Sequence, residues 1–270
     1  WLKPFALTDT SSSEFQPSRQ PLGFSCKSWS MATSTEMPML GGEQLIKDAD
    51  REIRNGFVRK VYGILAAQLL LTTAVAMPFQ YMSKASMQAN VWMLIASTVV
   101  LVGTMCSMLC CGNMLRRFPQ NYVFLAILTT CMGVTVGFCS AMYTWQSVLL
   151  AAGVTVGIFL GMTIFAWRSK SDFTGAGPYL MGALLTLMGF GLALSVLGLC
   201  GVKISWLCMF YDLCGVLLFT FYIVYDTQLM LGGEHQYALN IDDYCFAALN
   251  LYLDIINLFL YVLSLIGERR

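Results

Sequence analysis

The chain is predicted to be an all-α integral membrane protein, a bundle of seven transmembrane helices. Three observations carry this. Apolar residues make up 57% of the 270-residue sequence and charged residues only 11%, which is a membrane composition. Seven apolar runs occur, each near the ~20 residues that cross ~30 Å of hydrocarbon. From Ala85 to Tyr225 the only charged residues are Arg116, Arg117, Arg168, Lys170, Asp172, Lys203 and Asp212, and they fall between the runs or near their ends.

The N-terminal fifty residues differ from the rest. They are rich in Ser and Thr, carry mixed charges and show little periodicity, so residues 1–50 are expected to be a disordered cytosolic segment. Met31 opens the stretch MATSTEMPML as a plausible natural start, and residues 1–30 are read as upstream of it. No basic n-region with a short apolar h-region precedes the first run, so a cleavable signal peptide is not expected.

The membrane domain is assigned to 51–270. Its runs are Val61–Phe79, Val91–Cys111, Tyr122–Met142, Ser147–Trp167, Tyr179–Leu199, Trp206–Tyr225 and Tyr244–Ile266. Pro78, the Phe118-Pro119 step and the segment Gly175-Ala-Gly-Pro178 punctuate the short connections. The runs lack alternation and are too long for the ~10-residue strands of a membrane barrel. Gly153, Gly157 and Gly161 recur every fourth residue; they permit close helix contact, and simple exposure to lipid accounts for them equally well. Cysteines within the runs, such as Cys131, Cys139 and Cys214, read as small apolar residues, not as a disulfide scaffold or zinc site.

Lys and Arg set the orientation. With the N-terminus inside, Arg51, Arg54, Arg59, Lys60, Arg116, Arg117, Arg168 and Lys170 share the cytosolic side, against Lys84, Lys203, Arg269 and Arg270 outside. The expected topology has a cytosolic N-terminus and a C-terminus across the membrane. A re-entrant last run would return the C-terminus to the cytosol.

Asp254 is the most informative residue. A carboxylate inside a membrane-spanning run costs several kcal/mol, about 3 by insertion scales, and marks a functional position by default. Asn250 lies four residues before it and Asn257 three after, so the three share one helical face. A second acid, Asp226, ends the preceding run. Asp254 lies ten residues, or about 15 Å, into its helix. A hydrogen-bonded packing contact is the structural alternative to an ion or proton path. Arg116 and Arg117 end the second run on the same side.

The segment Val224-Tyr-Asp-Thr-Gln-Leu-Met-Leu-Gly-Gly233 resembles the transmembrane Bax-inhibitor-motif family. So does Ile241-Asp-Asp-Tyr-Cys-Phe-Ala-Ala-Leu-Asn-Leu-Tyr-Leu-Asp-Ile-Ile-Asn-Leu-Phe259, within the Lifeguard and Golgi anti-apoptotic branch. Supporting pieces are Ile53-Arg-Asn-Gly-Phe-Val-Arg-Lys-Val-Tyr62, Arg116-Arg-Phe-Pro-Gln-Asn121 and Ser169-Lys-Ser-Asp-Phe173, so the resemblance runs from about Glu52 to Glu268. It implies a seven-helix fold with the last helix central. It also implies calcium leak or calcium/proton exchange from intracellular stores, with suppression of apoptosis. Golgi, endoplasmic reticulum or another endomembrane is the implied location, and apoptosis-regulating membrane proteins are implied partners. The family's paired aspartates match Asp226 and Asp254, and its pore-locking arginine is matched nearest by Arg116 or Arg117.

The chemistry expected of these residues is a pH-sensitive gate. Two neighbouring carboxylates are not both ionised cheaply; at lower pH they share a proton, and at higher pH they repel and attract a cation or an arginine. Their oxygens and the Asn250 and Asn257 amides suit calcium, but too few ligands are present for more than a wet, weak metal site. Asp242 and Asp243 precede the last helix and stand either as a cation-attracting mouth or as ordinary complements of a helix N-terminus. Asp212 lies about 21 Å from Asp226 along one helix, near the opposite interface, where the family is similar in carrying an apolar or small residue. Glu234 and His235 read as a solvated loop.

The expected partners are the lipid bilayer, calcium and protons. The near-neutral charge and lack of a basic tract give no footing for nucleic acid. No HExxH or GxSxG motif supports an enzyme, no resident cofactor is expected, and a G-protein-coupled receptor is disfavoured by the short loops. The competing function is an anti-apoptotic interaction protein without ion conduction.

Overall fold

The computed structural model describes residues 51–110, 119–201, 204–232, 239–240 and 243–270. The expectation of a disordered 1–50 segment lies outside them. The described residues are mostly helical and form no strand, though Tyr143 and Arg269 make an isolated bridge.

Helix α1, Arg51–Ala76, begins ten residues ahead of its apolar run. Its buried side chains, Phe57, Val61, Leu65, Gln68 and Thr72, follow the three- and four-residue spacing of a single helical face. Pro78, which lacks an amide donor, ends the α-helix at Ala76, and a 3-10 turn follows over Met77–Tyr81. A short helix α2, Lys84–Ala89, is capped by Ser83, whose hydroxyl accepts from the Ser86 amide. Helix α3 is Val91–Cys110, α4 is Gln120–Ser140 and α5 is Trp145–Arg168, the last capped by Thr144.

A 3-10 turn at Thr174–Ala176 leads into α6, Gly177–Leu199. Helix α7 is Ser205–Leu231 and ends at Gly232, whose positive φ of 59° few other residues adopt. Helix α8 is Tyr244–Ile266, matching the expected run end to end.

Six of these helices are long and apolar enough to cross a membrane: α1, α4, α5, α6, α7 and α8. The described apolar part of α3, Val91–Ser107, is shorter. This is the multi-pass all-α architecture expected. The last helix sits in its middle. Helix α8 packs against α1, α4, α5 and α7, and every residue from Ala247 to Phe259 is buried. Helix α6 buries only Leu184 and Leu187 and turns Leu185, Leu192, Val196 and Leu199 outward, as a lipid-facing helix does.

The α1–α4 contact is close because two glycines allow it. A Cβ at Gly133 would lie 2.9 Å from the Val75 Cβ, and one at Gly137 2.5 Å from the Phe79 ring. Gly153, Gly157 and Gly161 on α5 meet nothing within 4 Å, so none of the described helices uses that stripe.

The last run is one unbroken helix from one end of the bundle to the other. At one end, the near end, Lys60 lies over the Tyr244 ring, and Asn121 donates to Cys245 at the start of α8. At the far end the Glu268 amide donates to Ser147 Oγ, the Thr144 amide to the Glu268 carbonyl, and the Arg270 guanidinium to the Gln80 carbonyl.

Candidate functional site

The acids lie where α7 and α8 pack side by side. Helix α7 runs one and a half turns beyond Tyr225, so Asp226 does not end its span, as the fall in hydropathy implied. It sits inside the helix and is 5% exposed. The extension is held by Gln228, which is fully buried. Its Oε1 accepts from the Phe173 amide at 2.8 Å, and its Nε2 donates to the Ser171 carbonyl at 2.9 Å. Both hydrogen-bonding ends of the carboxamide are thus satisfied by the α5–α6 connection, and a polar residue becomes compatible with a buried helical turn.

Asp254 is 0% exposed in the core of α8. Tyr222, one turn before Asp226 on α7, is also buried, in the helix that packs against α8. Sequence reasoning passed over Tyr222. Its signal was the i,i+4 spacing to Asp226, which puts a polar hydroxyl beside an acid on an apolar helix.

The two asparagines flank Asp254 as expected, both buried. Asn257 turns back on its own helix, its Nδ2 donating to the Leu253 carbonyl at 2.7 Å. The Asn250 Oδ1 is buried with no hydrogen-bond partner among the described residues, so its acceptor is available to a cation or a water. Tyr252, on the next face of α8, bonds Thr72 of α1 at 2.7 Å, and Gln68 of α1 donates to Thr129 of α4 at 3.1 Å. The first bond ties the central helix to α1, and the second ties α1 to α4.

Asp243 occupies the N-cap position of α8 without a side-chain capping bond. Arg116, Arg117, Asp242, Glu234 and His235 lie outside the described residues, so the expected arginine latch and most of the expected acidic mouth have no described geometry. Among the described residues no group of three or more His, Cys, Asp or Glu side chains converges as a metal cage. Two acids, an amide oxygen and a phenol are the chemistry of a transient cation contact. Asp212 is buried near the opposite end of α7, where its Oδ2 accepts from Ser264 at 2.7 Å.

Comparison with known proteins gives the family context. Residues 54–270 match the family model described as "Inhibitor of apoptosis-promoting Bax1". The sequence is 34% identical over 238 residues to Protein lifeguard 3 of Homo sapiens, covering 85% of this chain and 76% of that protein. It is 34% identical over 222 residues to Protein lifeguard 3 of Mus musculus, covering 82% and 71%. To Protein LIFEGUARD 4 of Arabidopsis thaliana it is 35% identical over 224 residues, covering 79% and 85%.

Proposed function

This chain belongs to the Bax-inhibitor family of multi-pass membrane proteins, and from that premise we propose that it is a pH-sensitive calcium leak of an intracellular membrane that restrains apoptosis. The observation that carries the reading is the burial of two acids, Asp226 and Asp254, on α7 and α8, which pack side by side. Two acids there have no packing role that apolar residues would not fill better, since buried charge is costly in a membrane.

The proton acts on the pair. Ionised together, the carboxylates repel each other and attract a divalent cation, with the Asn250 carbonyl as a further ligand. With a proton between them that attraction is lost and the two helices draw together. The site's scarcity of ligands supports a leak, because a cation held by six to eight oxygens would not leave. Arg116 and Arg117, following α3, are the candidates to compete with the cation for the acids. The N-terminus is assigned to the cytosol and the near end to the same side.

The test is calcium flux into dye-loaded liposomes holding the purified protein, at pH 6 and pH 8, beside Asp254→Asn and Asp226→Asn. A flux that changes with pH in the wild type and loses that response in either variant is the expected result. No flux above empty liposomes, from protein shown to be folded, would overturn the reading.

A second reading is favoured by the family description, which names inhibition of a death-promoting protein. In it the chain restrains death signalling by binding partners. Asp254→Asn separates the two: a variant that folds, localises and still protects cells supports partner binding alone.

A further inference from the structure

The seam between α7 and α8 continues past the paired acids. On α8 the polar positions Asn250, Asp254 and Asn257 are followed at the same three- and four-residue spacing by Tyr261 and Ser264, which extends one face through about four turns. The opposing face of α7 carries Asp226, Tyr222, Phe219, Gly215 and Asp212, again at that spacing.

Contacts fix the antiparallel register. Gly215 receives the Tyr261 ring, which an added Cβ would meet at 2.6 Å. Asp212 accepts from Ser264 at 2.7 Å. Tyr222 then falls level with Asp254, Asp226 with Asn250, and Phe219 with Asn257.

Aromatic rings fill the seam between Asp254 and Asp212. Tyr261 stacks on Phe219 with centroids 5.8 Å apart and planes 25° from parallel. Tyr211 meets Tyr261 edge-on at 5.5 Å, and their hydroxyls are 2.9 Å apart. Phe219 and Tyr261 are both buried. Past these rings the seam is polar and opens outward: Asp212 is 9% exposed, and Ser264 lies on the surface. A carboxylate, a serine hydroxyl and two phenols form a hard-oxygen set of the same kind as that around Asp254.

We propose that Asp212 and Ser264 form a second station for a divalent cation at the far end of the seam, and that Tyr261, seated on Gly215 and stacked on Phe219, is the plug dividing it from Asp254 and Asp226. The inference rests on the calcium-leak reading and extends that path across the bundle. Arg269, bridged to Tyr143 at the far end, is the competing cation. The fit of Tyr261 into Gly215 explains how a ring as large as a phenol lies between two helices in direct contact, and why a small rotation of α8 would unseat it.

Two measurements test it. Calcium flux into dye-loaded liposomes is compared for wild type, Tyr261→Ala, Phe219→Ala and Tyr261→Phe, with the two alanine variants also made in an Asp254→Asn background. Removing either ring is expected to raise flux severalfold, Tyr261→Phe to stay near wild type because the ring remains, and Asp254→Asn to abolish the gain. Phe219→Ala serves if Tyr261→Ala does not fold. Unchanged flux in folded ring variants, or a gain indifferent to Asp254→Asn, overturns the plug. If the wild type conducts in an Asp254-dependent way while the ring variants match it, the leak reading survives and this inference fails. Silence in all of them removes both.

The station is read without flux by terbium, a calcium substitute whose luminescence Tyr211 and Tyr261 would sensitise. Asp212→Asn is expected to lose a calcium-competed component of the signal that Asp254→Asn retains. A signal unchanged by Asp212→Asn overturns the station.

Discussion

Some polar side chains inside this bundle are answered by other protein groups, and others gather at the α7–α8 seam. Gln228 is the clearest case of the first kind. Its amide spans the Phe173 N–H and the Ser171 carbonyl, and replacing it leaves both without it. Gln228→Leu should therefore destabilise the protein by about 1–3 kcal/mol, the cost of orphaned backbone groups. It should also free the α5–α6 connection, so the checks are the melting temperature in detergent and the rate of tryptic cleavage after Arg168 and Lys170. An unchanged melting temperature and cleavage rate would show that the clamp contributes nothing. The same residue explains what was and was not legible at this scale. Asp254 stood out because a charge within an apolar run is costly and rarely incidental. The depth of Asp226 did not, because Thr227 and Gln228 lower the hydropathy just where the helix continues. A sequence window registers that Gln228 is polar but not that a loop 55 residues earlier satisfies it.

At the scale of the helix, identical patterns have opposite uses. Gly153, Gly157 and Gly161 form a repeated GxxxG on α5 and face no other helix, whereas Gly133 and Gly137 form the same motif on α4 and receive α1. The motif allows close approach and does not say what approaches. Only the α4 pair is expected to be sensitive. Gly133→Leu forces a side chain into Val75 and should destabilise by about 1–3 kcal/mol or displace α1. Gly153→Leu enters open space and should be neutral or slightly stabilising, because glycine weakens a helix by about 1 kcal/mol relative to alanine. Thermal unfolding of the two variants side by side decides it, and equal losses would contradict the assignment. The spans themselves were largely readable, α8 end to end, because hydropathy measures what lipid measures. Helix α1 was read as shorter than it is, since its first ten residues, Arg51 to Lys60, are mostly polar and need no hydrocarbon to be helical.

For the whole molecule, the contacts at the two ends of the bundle constrain the topology. The near end holds Lys60 of α1, Asn121 of α4, the connection at Ser171 and the start of α8. The far end holds Gln80, the turn at Thr144 and the residues after α8. A chain that enters α1 at the near end and leaves α8 at the far end crosses an odd number of times. The sequence could suggest this through its Lys and Arg bias but could not exclude a re-entrant last run, because Asp254 made one physically reasonable. The unbroken, wholly enclosed α8 supplies the missing argument: a helix buried on every side through Ala247–Phe259 has no need to turn back from the bilayer to shelter its acid. The consequence is measurable on two sites. Cys200, exposed and free at the end of α6, belongs to the far end, and Ser171, exposed before α6, to the near end. With the other cysteines replaced, Cys200 alone and Ser171→Cys alone should react with a membrane-impermeant maleimide from opposite sides of sealed vesicles. Labelling from the same side would mean that α6 does not cross, and the alternation on which the near and far ends of the seam depend would fail with it.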